Sequence, residues 1–334
     1  MGAEAYQRQV ISRAADAMGS DWRVRELTIR SLRSALPGNR RLPMGKIATA
    51  SAAMRRQIGR VLFAGDTVSH RMSLELPPSP HADVITLHDL VAWQFPDESA
   101  PVPAAAEEAR RAAAVICVSE YTAREAVRFL KVKDPHVVPN GVDPRYFDAA
   151  PLSATERAPL GLEGPYVLHA GGAAARKNLA ALAEAWPRVY RERPHLRLAL
   201  AGPPHPRRTE LFEGMPGVRL LGRLPDELMP GLIAAAESVV VPSLSEGFGL
   251  PALEAMAAGV PVVSSNTSSL PEVVGDAGIL VDPTDRGIAR GLLEATAPNA
   301  PTAELIARGR ARAATFTWER SAAGHAAVWS RLGK

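Results

Sequence analysis

Ser243-Leu244-Ser245-Glu246-Gly247-Phe248-Gly249-Leu250-Pro251-Ala252-Leu253-Glu254-Ala255-Met256-Ala257-Ala258-Gly259 is the stretch whose reading decides the fold. Just ahead of it, Ser238-Val239-Val240-Val241-Pro242 is a short apolar, β-branched run closed by a proline, which predicts a buried strand. Pro251 to Ala258 predicts a helix, with proline in its first turn and Gly259 past its end. Glu246 therefore falls in a strand-to-helix loop and Glu254 inside the helix. Two glutamates near a helix start are, taken alone, most often solvated charges that favour the dipole. Glycines and Phe248 set between a strand and a helix do not look like a polar surface turn. Gly247 and Gly249 let the backbone approach a ligand, and the unpaired N–H groups at the helix start favour an electron-rich guest.

Strand–helix alternation continues outward from this stretch. In the second half the candidates are Tyr166 to Ala170, Asn178 to Arg193, Leu196 to Ala201, Val218 to Leu221, Asp226 to Ala236, Val260 to Ser264, Gly278 to Val281 and Asp285 to Thr296. That order argues a parallel sheet with helices on both faces. In the first half, Gly2 to Met18 reads as an amphipathic helix with Ala5, Val10, Ile11, Ala14 and Met18 on one side, and Arg23 to Ile29 as a strand. Ser31 to Arg60 reads as a mobile, basic excursion with a helix from Ile47 to Ile58. Arg60 to Phe63, Thr67 to His70, Ala82 to Leu87, Val115 to Val118 and His136 to Val138 read as strands. Pro101 to Ala113 and Tyr121 to Leu130, the latter capped by Ser119, read as helices. Pro139-Asn140-Gly141-Val142-Asp143 is a turn by its chemistry, and Tyr146 to Gly164 has the prolines and lack of period of a linker.

A chain of 334 residues is long enough for two domains, each with its own core. No apolar run approaches the ~20 residues of a membrane span, and Met1 to Arg13 lacks the apolar centre of a signal peptide. The single cysteine, Cys117, excludes an internal disulfide, reads as a small core hydrophobe and fits a reducing cytoplasm. A net charge of +4 suits phosphates or an anionic membrane face. It is too mild to argue nucleic acid, and no basic stripe interleaved with aromatics is present.

Tyr166-Val167-Leu168-His169-Ala170 runs into Gly171-Gly172-Ala173-Ala174-Ala175-Arg176-Lys177-Asn178: a strand, a small-residue loop, and two cations at a helix start. Departure of a nucleoside diphosphate from a sugar develops negative charge that fixed cations and backbone N–H groups stabilise. Neither a Walker loop nor the Gly-x-Gly-x-x-Gly fingerprint is present. His88 and Asp89 follow the strand Ala82 to Leu87, where open α/β sheets place ligands. Trp93 and Phe95, ahead of Pro96-Asp97-Glu98, read as core packing. The histidines lack ligand spacing for a metal.

Glu246 to Glu254 resembles the Glu-x7-Glu signature of retaining glycosyltransferases with the GT-B fold, family 4 of the sugar-transferase classification (group 1 glycosyltransferases). His88-Asp89, Pro139 to Asp143 and Arg176-Lys177-Asn178 are similar to further landmarks of that family. The likeness runs from about Asp83 to Asp282 and through the terminal helix Thr317 to Leu332, and is weak before Asp66. It implies an α/β protein of GT-B type, two Rossmann-like parallel-sheet domains facing across a cleft. Residues 1–148 would form the acceptor-side domain and 149–314 the nucleotide-sugar domain, with the helix of 315–334 packing back on the first. Relatives open with a strand ahead of the first helix; Met1-Gly2-Ala3-Glu4 resembles only the tail of the turn after it, so either the sheet edge is built differently or the chain starts late.

The resemblance also implies the roles. Glu254 would bind the ribose diol of the donor. Glu246 would meet the donor sugar near its anomeric carbon, and His88 would face the transferred sugar. Gly171 and Gly172 with the amides of Gly247, Phe248, Gly249 and Leu250 would hold sugar and phosphates, and Arg176 and Lys177 the diphosphate. Catalytic parts thus fall to His88, Arg176, Lys177 and Glu246. Retaining glycosidases use two carboxylates ~5–5.5 Å apart; the family implies instead front-face attack with the leaving phosphate as base, and no metal or cofactor besides a nucleotide-diphosphate sugar as donor substrate. Asp83 to Glu98 and Thr267 to Asp282 look most like bacterial mannosyltransferase-type members, so GDP-mannose is the first donor expected. A glycan, lipid-linked or small-molecule hydroxyl is the acceptor, with a cytoplasmic location and peripheral contact with the membrane face. The competing readings are a non-catalytic nucleotide- or glycan-binding protein of this fold, and a nucleotide-sugar epimerase.

Overall fold

The computed structural model describes residues 2–95, 98–298 and 302–333. Met1, Pro96, Asp97, residues 299–301 and Lys334 of the stretches read above lie outside the described residues. The chain divides into two compact units, Met1–Gly141 with Trp318–Lys334, and Val142–Thr317.

Unit 1 opens with α1 (Gly2–Met18), whose buried stripe is Tyr6, Val10 and Ala14 at four-residue spacing. β1 (Ile29–Ser31) and β2 (Arg40–Leu42) pair in parallel as a sheet of their own. The strand expected over Arg23 to Ile29 is thus displaced. Residues 23–28 are irregular, and Asn39 ties them by accepting from the Thr28 amide and donating to the Glu26 carbonyl. Next come α2 (Met44–Thr49) and α3 (Ala52–Leu62), the latter capped by Ser51. The expected Ile47–Ile58 helix is therefore broken at Ala50-Ser51, and the expected Arg60–Phe63 strand is the end of α3. Gly59 lets that helix pass the Pro78 carbonyl, which a Cβ would approach to 1.8 Å. β3 (Val68–Arg71), β4 (Ala82–Leu87), α4 (Val91–Gln94), α5 (Ala105–Arg111), β5 (Ala114–Cys117), α6 (Glu120–Glu125) and β6 (His136–Val137) complete the unit's first segment. A π-helical turn, Ala126–Leu130, extends α6. The four strands from β3 to β6 lie side by side in chain order, all parallel. Ile85, Leu87, Val115 and Cys117 build the core on one face, with Trp93 packed against it.

Under this sheet lies a closed set of charges. Arg55 and Arg71, both fully buried, meet Asp83 and Glu108. Arg55, within the stretch expected to be a mobile, basic excursion, is instead an anchor of the fold.

Unit 2 begins with α7 (Ala154–Arg157), held by a Ser153–Glu156 capping box inside the stretch read as a linker. Then come β7 (Tyr166–Ala170), α8 (Leu179–Glu192), β8 (Arg197–Ala201), α9 (Pro206–Phe212), β9 (Val218–Gly222) and α10 (Met229–Ala234). β10 (Ser238–Val241), α11 (Leu250–Ala257), β11 (Val262–Ser265), α12 (Leu270–Val274), β12 (Ile279–Val281), α13 (Asp285–Ala295) and α14 (Thr302–Ala313) follow. Six parallel strands run in the order β12-β11-β10-β7-β8-β9. From β7 the chain builds outward on one side through β8 and β9, then returns to lay β10 against the other side of β7. The carboxyl ends of β7 and β10 thus flank the point where strand order reverses, the natural ligand position in such a sheet. Trp186, Leu182, Val240, Val263 and Leu292 lie in the core that seats α8 and α13.

α15 (Trp318–Leu332) belongs to unit 1 and lies on α1, where the Trp318 and Tyr6 rings meet edge to face at 6.2 Å. Among the described residues no helix is long and apolar enough to cross a membrane.

Candidate active site

The loop after β10 is built to hold its carboxylate. Gly249 has φ +109°, and a Cβ there would stand 2.7 Å from Leu270, so only glycine closes this turn into α11 without strain. Pro251 occupies the first turn of the helix. The Ser269 hydroxyl is shared by the Glu246 and Phe248 carbonyls at 2.9 and 2.8 Å, and the Glu246 amide donates to Ser268 Oγ at 3.0 Å. The Phe248 ring points into the core, edge-on to Phe316. The loop's shape is therefore settled before any ligand arrives.

Glu246, 8% exposed, is met by two cations from the loop after β7. Lys177 Nζ donates to Oε1 at 2.6 Å, Arg176 Nη1 to Oε2 at 3.4 Å, and Ser243 Oγ to Oε1 at 2.7 Å. Burial pushes the Glu246 carboxyl up, but Lys177, Arg176 and the Ser243 hydroxyl outweigh it and hold it below the usual glutamate value. The cations do not begin α8. They lie in a 3-10 turn, Ala175–Lys177, and Asn178 follows in the left-handed region with φ +56°. Its side-chain amide donates to the Pro242 and Pro283 carbonyls at 3.0 and 2.9 Å, tying the cation turn to the ends of two neighbouring strands. The Leu244 amide closes the joint by donating to the Arg176 carbonyl at 2.7 Å.

The Gly171-Gly172 loop is supported from behind. A Cβ on Gly202 would come within 1.9 Å of the Gly171 carbonyl, which also accepts from the buried Arg208 at 2.5 Å. Gly172 faces open space. Beneath them His169 donates from Nδ1 to the Val240 carbonyl at 3.2 Å, and burial lowers its pKa to about 4.

Glu254, half-buried on α11, has other neighbours. Burial pushes its carboxyl up to about 7, opposed by Arg145 and by a hydrogen bond from Tyr146. Tyr146 is buried with the Arg145 guanidinium 5.4 Å above its ring. Arg145 and Tyr146 stand in and beside the stretch read as a linker, and nothing in their spacing pointed to Glu254. Ser243 and Ser268 were likewise missed as partners, although Ser243 precedes Glu246 by three residues, a spacing that signals side-chain contact.

The structure thus gathers Arg176, Lys177 and Glu246 at the reversal point, with Gly247 to Leu250 leading into α11. His88 belongs to unit 1. It follows β4, stands 4.5 Å edge-on from the Tyr6 ring, and burial lowers its pKa. A cavity of about 600 Å³ lies at the other end of the unit 2 strands, lined by Arg157, Glu237 and Thr296, and plays no part in this cluster.

Two family descriptions match the chain, Glycosyltransferase Family 4 over residues 69–146 and Glycosyl transferases group 1 over residues 164–297. The O-antigen chain mannosyltransferase B of Escherichia coli is 33% identical over 286 residues, covering 79% of this chain and 74% of the relative. The chain is a family 4 glycosyltransferase. This glycosyltransferase is also 31% identical over 230 residues to the GDP-mannose-dependent alpha-(1-6)-phosphatidylinositol dimannoside mannosyltransferase of Mycobacterium tuberculosis, over 66% of its own length and 59% of the relative's. It therefore spans about three quarters of the first relative and less than two thirds of the second. WaaG, a glycosyltransferase involved in lipopolysaccharide biosynthesis, superimposes with a TM-score of 0.72 at 17% identity, over 98% of this chain and 96% of that one, which establishes the shared GT-B fold.

Proposed function

We propose that this glycosyltransferase moves mannose from a nucleoside-diphosphate sugar, GDP-mannose in the first instance, to a hydroxyl acceptor, with retention of anomeric configuration and without a metal. The observation that carries the reading is the Lys177 ammonium at the reversal point: among the described residues it makes one side-chain hydrogen bond, to Glu246, and two of its three N–H donors are left over. A leaving diphosphate takes up those donors, and fixed cations in place before the reaction stabilise it more as it departs. Arg176 and Lys177 take the diphosphate, assisted by Gly171, Gly172 and the amides from Gly247 to Leu250. Glu246, kept ionised by the same cations, accepts from donor-sugar hydroxyls, and Glu254 accepts from the ribose diol. His88 faces the transferred sugar. The attacking hydroxyl gives its proton to a leaving phosphate oxygen on the same face, so the new bond forms where the old one breaks.

The mannose assignment is supported by the two mannosyltransferase relatives, and the nucleotide by the GDP-mannose dependence of the second. For the acceptor, the exposed arginines Arg33, Arg40 and Arg41 beside Leu32 and Leu36, 61% and 50% exposed, suit a lipid-linked substrate at an anionic membrane face.

The test is a melting-temperature panel of GDP, UDP, ADP and dTDP with and without chelator, followed by product analysis. A nucleotide at 100 times its dissociation constant adds ~2.7 kcal/mol of stability, and GDP is expected to give the largest shift, chelator or not. The NMR coupling at the anomeric carbon of the product then reads retention. Inversion would sink the mechanism, and no shift with any of the four nucleotides would sink the donor site.

A further inference from the structure

Behind His88, unit 1 carries a chain of buried hydrogen bonds that the transfer chemistry leaves without a role. Its direction follows from one carbonyl. His325 on α15 has Nδ1 2.7 Å from the Ser321 carbonyl, which only accepts, so Nδ1 carries the proton and Nε2 the lone pair. Tyr6 Oη, 2.6 Å from that Nε2, therefore donates to it. With its proton committed, Tyr6 Oη accepts from Thr86 Oγ1 at 2.8 Å, and Thr86 Oγ1 accepts from His70 Nε2 at 2.7 Å. Four bonds across α15, α1, β4 and β3 thus share one polarity. Burial favours it by keeping both imidazoles neutral, His325 at about 4 and His70 well below its usual value.

The chain ends against His88. Thr86 lies in β4 and His88 just past its end, and both meet Tyr6. The Tyr6 ring, completely buried, stands perpendicular to the His88 ring at 83° with centroids 4.5 Å apart. His88 bonds the Met72 backbone through one nitrogen, while its Nε2 is buried with no hydrogen-bond partner. That nitrogen, like His70 Nδ1 in the same network, is left open to a donor from outside the protein, a water or a substrate hydroxyl.

We propose that Tyr6 and His325 are positioning residues for sugar transfer: the hydrogen bond from Tyr6 to His325 locks the aromatic wall that aims His88 Nε2 at a substrate hydroxyl, so that the terminal helix sets the geometry of His88. This rests on the substrate-facing role of His88 given above. Trp318, 6.2 Å from Tyr6 on the same helix, closes the wall from its other side.

Tyr6→Phe keeps the ring and deletes both bonds. His325→Leu removes the acceptor, and His325→Gln retains one in its amide oxygen. Tyr6→Phe and His325→Leu are expected to lower kcat about 10- to 100-fold, the effect of misaiming a group at a reacting centre. Donor KM should stay within about twofold, because the donor-binding residues lie in the other unit. His325→Gln should recover most of the rate. In full-length protein carrying 15N-labelled histidine, His88 should give the signature of a single tautomer with Nε2 unprotonated, and Tyr6→Phe should move it toward a mixture. Rates of Tyr6→Phe and His325→Leu within about twofold of wild type would overturn the proposal, as would unchanged His88 nitrogen shifts in both. Should the wild type transfer no sugar at all, the enzymatic reading falls, and the His88 shifts still decide the positioning by themselves.

Discussion

In unit 1, Arg55 and Arg71 meet Asp83 and Glu108; in unit 2, Arg176 and Lys177 meet Glu246. The first cluster is saturated. All five N–H donors of Arg55 are used: on Glu108 through Nε, and on the Ile47, Glu75, Leu74 and Leu76 carbonyls through Nη1 and Nη2. Arg71 grips Asp83 with two parallel bonds of 2.8 and 2.7 Å and reaches Glu108 and the Leu76 carbonyl with Nη1. The Lys177 ammonium, by contrast, makes one hydrogen bond among the described residues, to Glu246, and keeps two donors in reserve. A buried charge with every partner supplied by the protein is a device of folding. One with donors to spare is open to a ligand.

If that distinction is right, the two clusters fail differently. Glu108→Ala leaves Arg55 and Arg71 with one carboxylate between them in a dry interior. Removing one partner of such a cluster costs about 3–5 kcal/mol, read as a lower urea midpoint. Nucleotide affinity of the folded fraction should not change. A loss below about 1 kcal/mol would place the cluster among solvated ion pairs and erase the contrast.

Lys177→Met reverses the pattern. It removes a fixed positive charge that the proposed function assigns to the leaving diphosphate, and loss of one such stabilising group costs about 10²–10³ in kcat, ~2.7–4 kcal/mol of transition-state energy. Glu246 keeps Arg176 and Ser243 as partners, so the melting temperature should fall by little. A variant that loses stability as severely as Glu108→Ala while retaining turnover would make Lys177 structural.

This contrast also explains what could be read from residues alone. The strand–helix alternation of unit 2 and the loop carrying Glu246 were legible because the needed residues are neighbours in sequence: a β-branched run, two glycines, a proline opening α11. Arg176 and Lys177 were legible as cations after a small-residue loop, although their 3-10 turn and the left-handed Asn178 were not, since both follow from bonds to Pro242 and Pro283 far along the chain. Arg55 was misread because its partners lie about 20 and 53 residues away, and a run of arginines looks the same whether solvated or buried. Val61-Leu62-Phe63 was misread as a strand because β-branched and aromatic residues also end helices when tertiary contacts hold the preceding turn. Tyr146 and Arg145 escaped notice for the same reason as Arg55: only the folded chain brings them to Glu254.

Glu254 sharpens the comparison from a third direction, with the smallest expected effect. Its carboxyl sits at about 7 because burial disfavours the charged form more than Arg145 and Tyr146 restore it. The folded state therefore holds a proton that the unfolded chain releases near 4.5. Between those values folding binds more protons than unfolding, so this group's contribution to stability is fully present below about 4.5 and declines as pH rises toward 7. Donor binding should run the other way. A ribose diol donates its hydroxyl protons, and only the ionised carboxylate accepts both. Raising the pH from 6 to 8 takes Glu254 from mostly protonated to mostly ionised and should tighten an intact nucleotide sugar about tenfold, ~1.4 kcal/mol. The diphosphate diester itself does not titrate in that window. Glu254→Gln should be weak and flat across it, whereas Glu246, already held ionised by Lys177 and Arg176, should add no pH dependence there. Calorimetric titrations at pH 6, 7 and 8 measure this directly. A wild-type affinity independent of pH would mean that the ribose is gripped elsewhere, and that Glu254 belongs with the saturated charges of unit 1 rather than with the open ones of unit 2.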